Sequence, residues 1–154
     1  MTQENKELLI KDLSARLPYK LIVQIDNCGI WDLRGVDHDS AELRDMVIVW
    51  HGETYPLSKN SFPITKCKPY LFPLSSMTDE QKGFLIKNYK FTFDSCGDNI
   101  TNGVYSSAFN RMIYHTINEE DLSNIIDWLN KNHFDYRGLI EKSLALDTTG
   151  LNIY

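Results

Sequence analysis

The sequence has no long apolar run, no excess of positive charge and few cysteines, and each shortage excludes something. The longest clean apolar stretch, Met46-Val47-Ile48-Val49-Trp50, has five residues. A bilayer-spanning helix needs about 20, so none is predicted and no membrane partner is expected. The start of the chain, Met1-Thr2-Gln3-Glu4-Asn5-Lys6-Glu7, is polar and charged. It lacks the basic start and apolar segment of a secretory signal. Lys and Arg number 16 against 21 Asp and Glu, a net charge of -5. The basic residues do not cluster: Lys59, Lys66 and Lys68 form the closest run, with Lys82, Lys87 and Lys90 later. Phosphate repels such a chain, which argues against direct nucleic-acid binding. The three cysteines, Cys28, Cys67 and Cys96, are widely spaced and form no Cys-x-x-Cys pair. Neither a zinc knuckle nor a thioredoxin-type site is suggested. Reduced, partly buried thiols in a cytoplasmic protein are expected instead. Also missing are Gly-x-Ser-x-Gly, His-Glu-x-x-His and a glycine-rich phosphate loop, so no cofactor is expected.

What is present reads as globular. The chain has 154 residues, 42% hydrophobic and 24% charged, which suits one domain over residues 1–154 with its own core. Leu9, Leu13 and Leu17 recur at helical spacing, with Leu8 and Ala15 widening the stripe, so a helix is predicted over 4–17. Pro18 stops it. Leu21, Val23 and Ile25 alternate, Asn27-Cys28-Gly29 is turn chemistry, and Ile30 to Val36 returns with Trp31 and Leu33 on one face. A polar connection from Asp37 to Glu42 leads to a third strand at 43–50. Residues 51–76 hold four of the five prolines, Pro56, Pro63, Pro69 and Pro73, interleaved with aromatics. They read as an irregular, extended arm.

Thr78-Asp79-Glu80-Gln81 has the form of a capping box, and the helix behind it is expected to bury Phe84, Leu85 and Tyr89. Residues 90–94 read as a strand, 95–103 as a loop and 104–117 as a long β-like run with a bulge. Leu122, Ile125, Ile126 and Leu129 recur at i, i+3, i+4 and i+7 behind the acidic start Glu119-Glu120-Asp121, which predicts another helix. A last short helix is placed over 139–147. The fold class is therefore α+β: an antiparallel sheet of about five strands packed by three or four helices, with the proline-aromatic arm.

Candidate chemistry is sparse. Asp37-His38-Asp39 offers oxygen and nitrogen donors to a divalent ion, although neighbours on an extended segment point to alternate sides. A polar turn is the favoured reading there. His51-Gly52-Glu53 follows a buried-looking strand without a nucleophile beside it. His115 lies in a β-like run. His133-Phe134-Asp135-Tyr136-Arg137 is the densest polar-aromatic cluster. As a site, His133 and Asp135 would move protons and Arg137 would hold an anion. As structure, His133 would close a helix and Arg137 would pair with Asp135 or Glu141. The arm offers Tyr55, Phe62, Tyr70 and Phe72 as partner-binding anchors, or as a cover for its own sheet.

Three stretches resemble one family. They are Glu7-Leu-Leu-Ile-Lys-Asp-Leu-Ser-Ala-Arg-Leu-Pro-Tyr19, Lys68-Pro-Tyr-Leu-Phe-Pro-Leu-Ser-Ser-Met-Thr78, and the segment from Ile126 to Asp147 with His133-Phe-Asp-Tyr-Arg-Gly-Leu-Ile-Glu141 inside it. In these the chain is similar to small uncharacterised proteins of bacteriophages, prophages and mobile elements of gut Bacteroidetes. Ser143 stands where that family more often has glycine. The resemblance implies a phage-related setting in the host cytoplasm and brings no catalytic residues with it. The function expected is that of an accessory protein acting by contact with a host or phage protein, or with further copies of itself, without catalysis. The alternatives are a small hydrolase or metal-dependent nuclease drawing on His38, Asp39, His51, His115 and His133, and a minor virion component.

Overall fold

The computed structural model describes residues 1–39, 44–50, 60–89, 92–93, 100–101, 104–106, 111–113 and 119–154. Contacts divide the chain into two compact units, one of residues 1–71 with 137–154 and one of residues 72–136.

The first unit opens with α1 (Gln3–Arg16), capped by the Thr2 hydroxyl, which accepts from the Asn5 amide at 3.2 Å. A 3₁₀ turn over Leu17–Tyr19 carries the Pro18 stop. Then come β1 (Ile22–Ile25), β2 (Gly29–Asp39), β3 (Arg44–Trp50), β4 (Asn60–Pro63) and β5 (Cys67–Pro73). All pair antiparallel in the order β5-β1-β2-β3-β4. The β1–β2 turn places Asn27 at φ 60° and Gly29 at φ 92°, as its sequence predicts. The register of β2 against β3 shifts between Leu33 and Gly35. A Cβ on Gly35 would come within 3.2 Å of Ile48 Cδ1, so a larger residue would crowd the neighbouring strand. Leu9 and Leu13 of α1 pack with Leu21, Val23, Ile25, Leu33, Val47 and Leu71 in one buried core.

The second unit begins within the last residues of β5. It contains α2 (Asp79–Tyr89), β6 (Thr92–Phe93), β7 (Ile100–Thr101), β8 (Val104–Ser106), β9 (Arg111–Ile113), α3 (Glu119–Lys131) and β10 (Phe134–Asp135). The capping box forms as predicted: the Gln81 amide donates to the Thr78 hydroxyl at 3.2 Å, and the Thr78 amide donates to Gln81 Oε1 at 2.9 Å. β6 pairs with β7 and β8 with β9, both antiparallel. β10 runs parallel to Phe72–Pro73 of β5. Leu74, Met77, Leu85, Ile125, Leu129 and Phe134 form a second buried core. Back in the first unit, β11 (Leu146–Asp147) pairs parallel with Tyr70–Leu71.

The α+β class and its antiparallel meander hold, and several finer expectations do not. The arm is regular where it is described, because residues 60–63 and 67–73 enter the sheet as β4 and β5. Cross-strand pairing outweighs the proline signal there. Asp37, His38 and Asp39 continue β2, paired with Met46, Asp45 and Arg44, and are not a turn. Part of the run 95–103 is strand. The run from 104 to 113 holds two paired strands in place of one bulged strand. Residues 139–145 are turns in place of a helix. Gly138 at φ 69° and Ser143 at φ 58° lie in the left-handed region, which a right-handed helix cannot use. No helix among the described residues is long and apolar enough to cross a membrane.

Candidate functional site

The second unit carries a column of aromatic rings that leads from its core to solvent. Phe134 of β10 lies opposite Phe72 of β5 in a parallel register, and their ring centres are 6.1 Å apart. Trp128 of α3 stacks on Phe134 at 5.8 Å and 12°. Phe84 of α2 stacks on Trp128 at 5.7 Å and 17°, and Tyr89 meets Phe84 edge-on at 6.2 Å. Exposure rises along the column, from 2% at Phe134 to 43% at Phe84. Ring pairs at these spacings contribute about 0.5–1.5 kcal/mol each beyond their buried area, so the outermost ring is held in place by those below it. The sequence pattern predicts a buried Phe84, and the structure exposes it. Only Leu85 of this helix is buried, and it turns Phe84 toward the flank.

The residues singled out from the sequence are spread across the fold. His133 follows α3 at φ 58°, with its amide donating to the Asn130 carbonyl at 3.1 Å and its own carbonyl accepting from Phe72 at 2.9 Å. It therefore closes the helix in a left-handed cap and ties it to β5. Asp135 is buried on β10 opposite Pro73. Arg137 belongs to the first unit, where its Nε lies 3.4 Å from Asp12 Oδ1. Asp12 is its charge partner there. Tyr70 is buried, with its hydroxyl donating to Gln24 Oε1 at 3.0 Å. Phe62 is half-buried against Trp31, and Phe72 is half-buried beneath Phe134. Tyr55, His51 and His115 lie outside the described residues. Among the described residues, no three His, Cys, Asp or Glu side chains gather as metal ligands.

No family model, curated protein or solved structure matches this chain.

Two features escaped the sequence reading. Asp12 and Arg16 are both fully buried, with Arg16 Nε 2.8 Å from Asp12 Oδ2 and Nη2 3.1 Å from Oδ1. The signal was available: Asp12 and Arg16 sit three residues after Leu9 and Leu13, on the buried stripe itself. The second is Tyr154, whose hydroxyl donates to the Tyr70 carbonyl at 2.6 Å and accepts from the Ile22 amide at 3.4 Å. Burial raises its pKa. The Ile22 amide and the Arg16 charge pull it partly back, while the Asp12 charge adds to the rise. Cys67, buried beside the charge of Asp26, is pushed up to about 12 and stays a protonated, unreactive thiol near neutrality. Cys28 is exposed.

Proposed function

We propose that the chain is a phage or mobile-element accessory protein that acts by protein–protein contact in the host cytoplasm, without catalysis. The observation that carries this reading is the solvent-facing end of the aromatic column, where Phe84 is 43% exposed although it stacks on Trp128. Ordered aromatic rings make good interface anchors, because they add contact area with little rotamer entropy to lose. Leu122 and Ile86, also in this unit, are 48% and 47% exposed and extend its exposed apolar surface. The cluster from His133 to Arg137 supports the reading as well. His133 closes a helix, Asp135 pairs in a strand, and Arg137 faces Asp12, so each has a structural occupation.

The test is an affinity capture from bacterial lysate, read by mass spectrometry, with wild type, Phe84→Ala and Leu151→Ser compared. Leu151 is 51% exposed in the first unit and serves as the control. A partner retained by wild type and by Leu151→Ser, and lost with Phe84→Ala, is the expected result. Identical captures for all three proteins would remove the support for contact at this surface.

A further inference from the structure

We infer that Tyr154 is a wedge in the β1–β5 seam, carried on a strap of residues 149–154. When the strap lifts, the seam closes by one more rung, and the Ile22 amide donates directly to the Tyr70 carbonyl. The seam thus has two closed forms, one with the strap seated and one with it free. This is independent of the contact reading above.

The pairing register places the rung. Val23 faces Pro69, Gln24 faces Lys68 and Ile25 faces Cys67, so the same register carries Asp26 onto Lys66 at one end and Ile22 onto Tyr70 at the other. The Asp26 amide donates to the Lys66 carbonyl at 3.0 Å. Antiparallel ladders alternate between pairs that exchange backbone hydrogen bonds and pairs that do not. Every second pair from Asp26 and Lys66 is therefore of the bonded kind, which includes Gln24 with Lys68 and Ile22 with Tyr70. The other side of β1 agrees: the Leu21 carbonyl accepts from the Leu33 amide of β2 at 2.8 Å, which leaves the next residue, Ile22, facing β5. Yet among the described residues the β1–β5 ladder ends at Val23 and Pro69. In place of the next rung, the Tyr154 hydroxyl accepts from the Ile22 amide at 3.4 Å and donates to the Tyr70 carbonyl at 2.6 Å. It sits where a direct backbone bond belongs.

The strap has a fixed base and a pivot. The Thr148 amide donates to the Leu71 carbonyl at 3.0 Å, and the Leu151 amide donates back to the Thr148 carbonyl at 2.9 Å. Gly150 turns the chain between them at φ 78°, a region that glycine enters freely. No helix or strand follows Asp147, and Thr149, Gly150, Leu151 and Asn152 are exposed. Tyr154 itself is 42% exposed, although its hydroxyl is bonded on both sides. Lifting the strap breaks those two bonds and exposes the rest of the ring, and the direct rung then pairs the donor and acceptor left behind. Were Tyr154 only a tether, its departure would strand both groups. The rung makes local opening of the strap cheaper than opening of the sheet beneath it.

Amide hydrogen exchange at Ile22, read by NMR as a ratio to the core amide of Leu33, tests the wedge on the full chain. Tyr154→Phe leaves the ring seated and removes the hydroxyl, so Ile22 should exchange about tenfold faster than in wild type. Tyr154→Ala removes more of the side chain, yet it should protect Ile22 about threefold or more better than Tyr154→Phe does, because the rung is free to close. A scalar coupling from the Ile22 nitrogen to the Tyr70 carbonyl carbon should appear in Tyr154→Ala and not in Tyr154→Phe. Exchange in Tyr154→Ala as fast as in Tyr154→Phe, or no such coupling, would overturn the second closed form. So would a Tyr154→Ala chain that circular dichroism shows to be unfolded, since the new rung is what holds the seam without the strap. Unchanged exchange in Tyr154→Phe would overturn the wedge itself.

Discussion

Asp12 and Arg16 are ionised side chains with no exposed surface, one turn apart on α1, and the carboxylate also faces Arg137. Burying two charges is unfavourable unless their geometry is good, and once they are buried, removing one strands the other. Asp12→Ala should therefore lower stability by about 3–5 kcal/mol in urea unfolding. Asp12→Leu combined with Arg16→Met should lose less, because Arg16 is no longer stranded and Arg137, which also loses Asp12, is 27% exposed to water. A single variant that loses under about 1 kcal/mol would show that the pair is hydrated in solution. Ser143 presents the opposite case, a residue strained in its own backbone. At φ 58° it occupies a region that disfavours side chains by about 1–2 kcal/mol, whereas glycine enters it freely. Glycine's greater freedom in the unfolded chain removes part of that gain. Ser143→Gly should raise stability by about 0.5–1 kcal/mol, and a drop in melting temperature would contradict the account. Sequence spacing alone could not have shown a left-handed residue there.

At the scale of elements, legibility followed the strength of local signals. The α1 stripe, the Thr78–Gln81 box and the α3 repeat each specify their helix through neighbours three or four residues apart. β5 was illegible because its identity is non-local. Its prolines suggest a loop, yet Cys67 to Pro69 pair with β1, and Tyr70 and Leu71 with β11. The β1–β5 pairing stops at Val23 and Pro69, and the next two backbone groups, the Ile22 amide and the Tyr70 carbonyl, are joined through the Tyr154 hydroxyl. One side chain thus extends the ladder past its last pair. Tyr154→Phe keeps the ring and removes both hydrogen bonds, so a loss of about 1–2 kcal/mol is expected. Hydrogen exchange at the Ile22 amide should accelerate with it. Unchanged exchange there would mean that the bridge does not form in solution. The aromatic column was partly legible for the same reason. Its members are visible as aromatics, but which ring ends in solvent is decided by how α2 turns Leu85 inward.

For the whole molecule, composition proved informative only after it was divided. A net charge of -5 over 154 residues is modest, and by itself excludes little. The two units differ, however: the first is close to neutral, with 12 acidic and 11 basic residues, and the second carries -4. Nucleic acid binds through phosphate contacts that release counterions, and this needs several Lys or Arg side chains on one surface. The second unit offers repulsion, and the first holds one more acidic residue than basic ones. Fluorescence anisotropy with a labelled 30-base-pair duplex should therefore show no binding at about 150 mM salt, and little at about 20 mM, where unscreened attraction would be strongest. The Asp127→Lys variant sharpens the test. It reverses the sign of one exposed charge on α3, and a gain of duplex binding would show how close this surface lies to accepting phosphate. Binding by the wild-type chain that weakens steeply with salt would mean that a basic surface forms in spite of the composition.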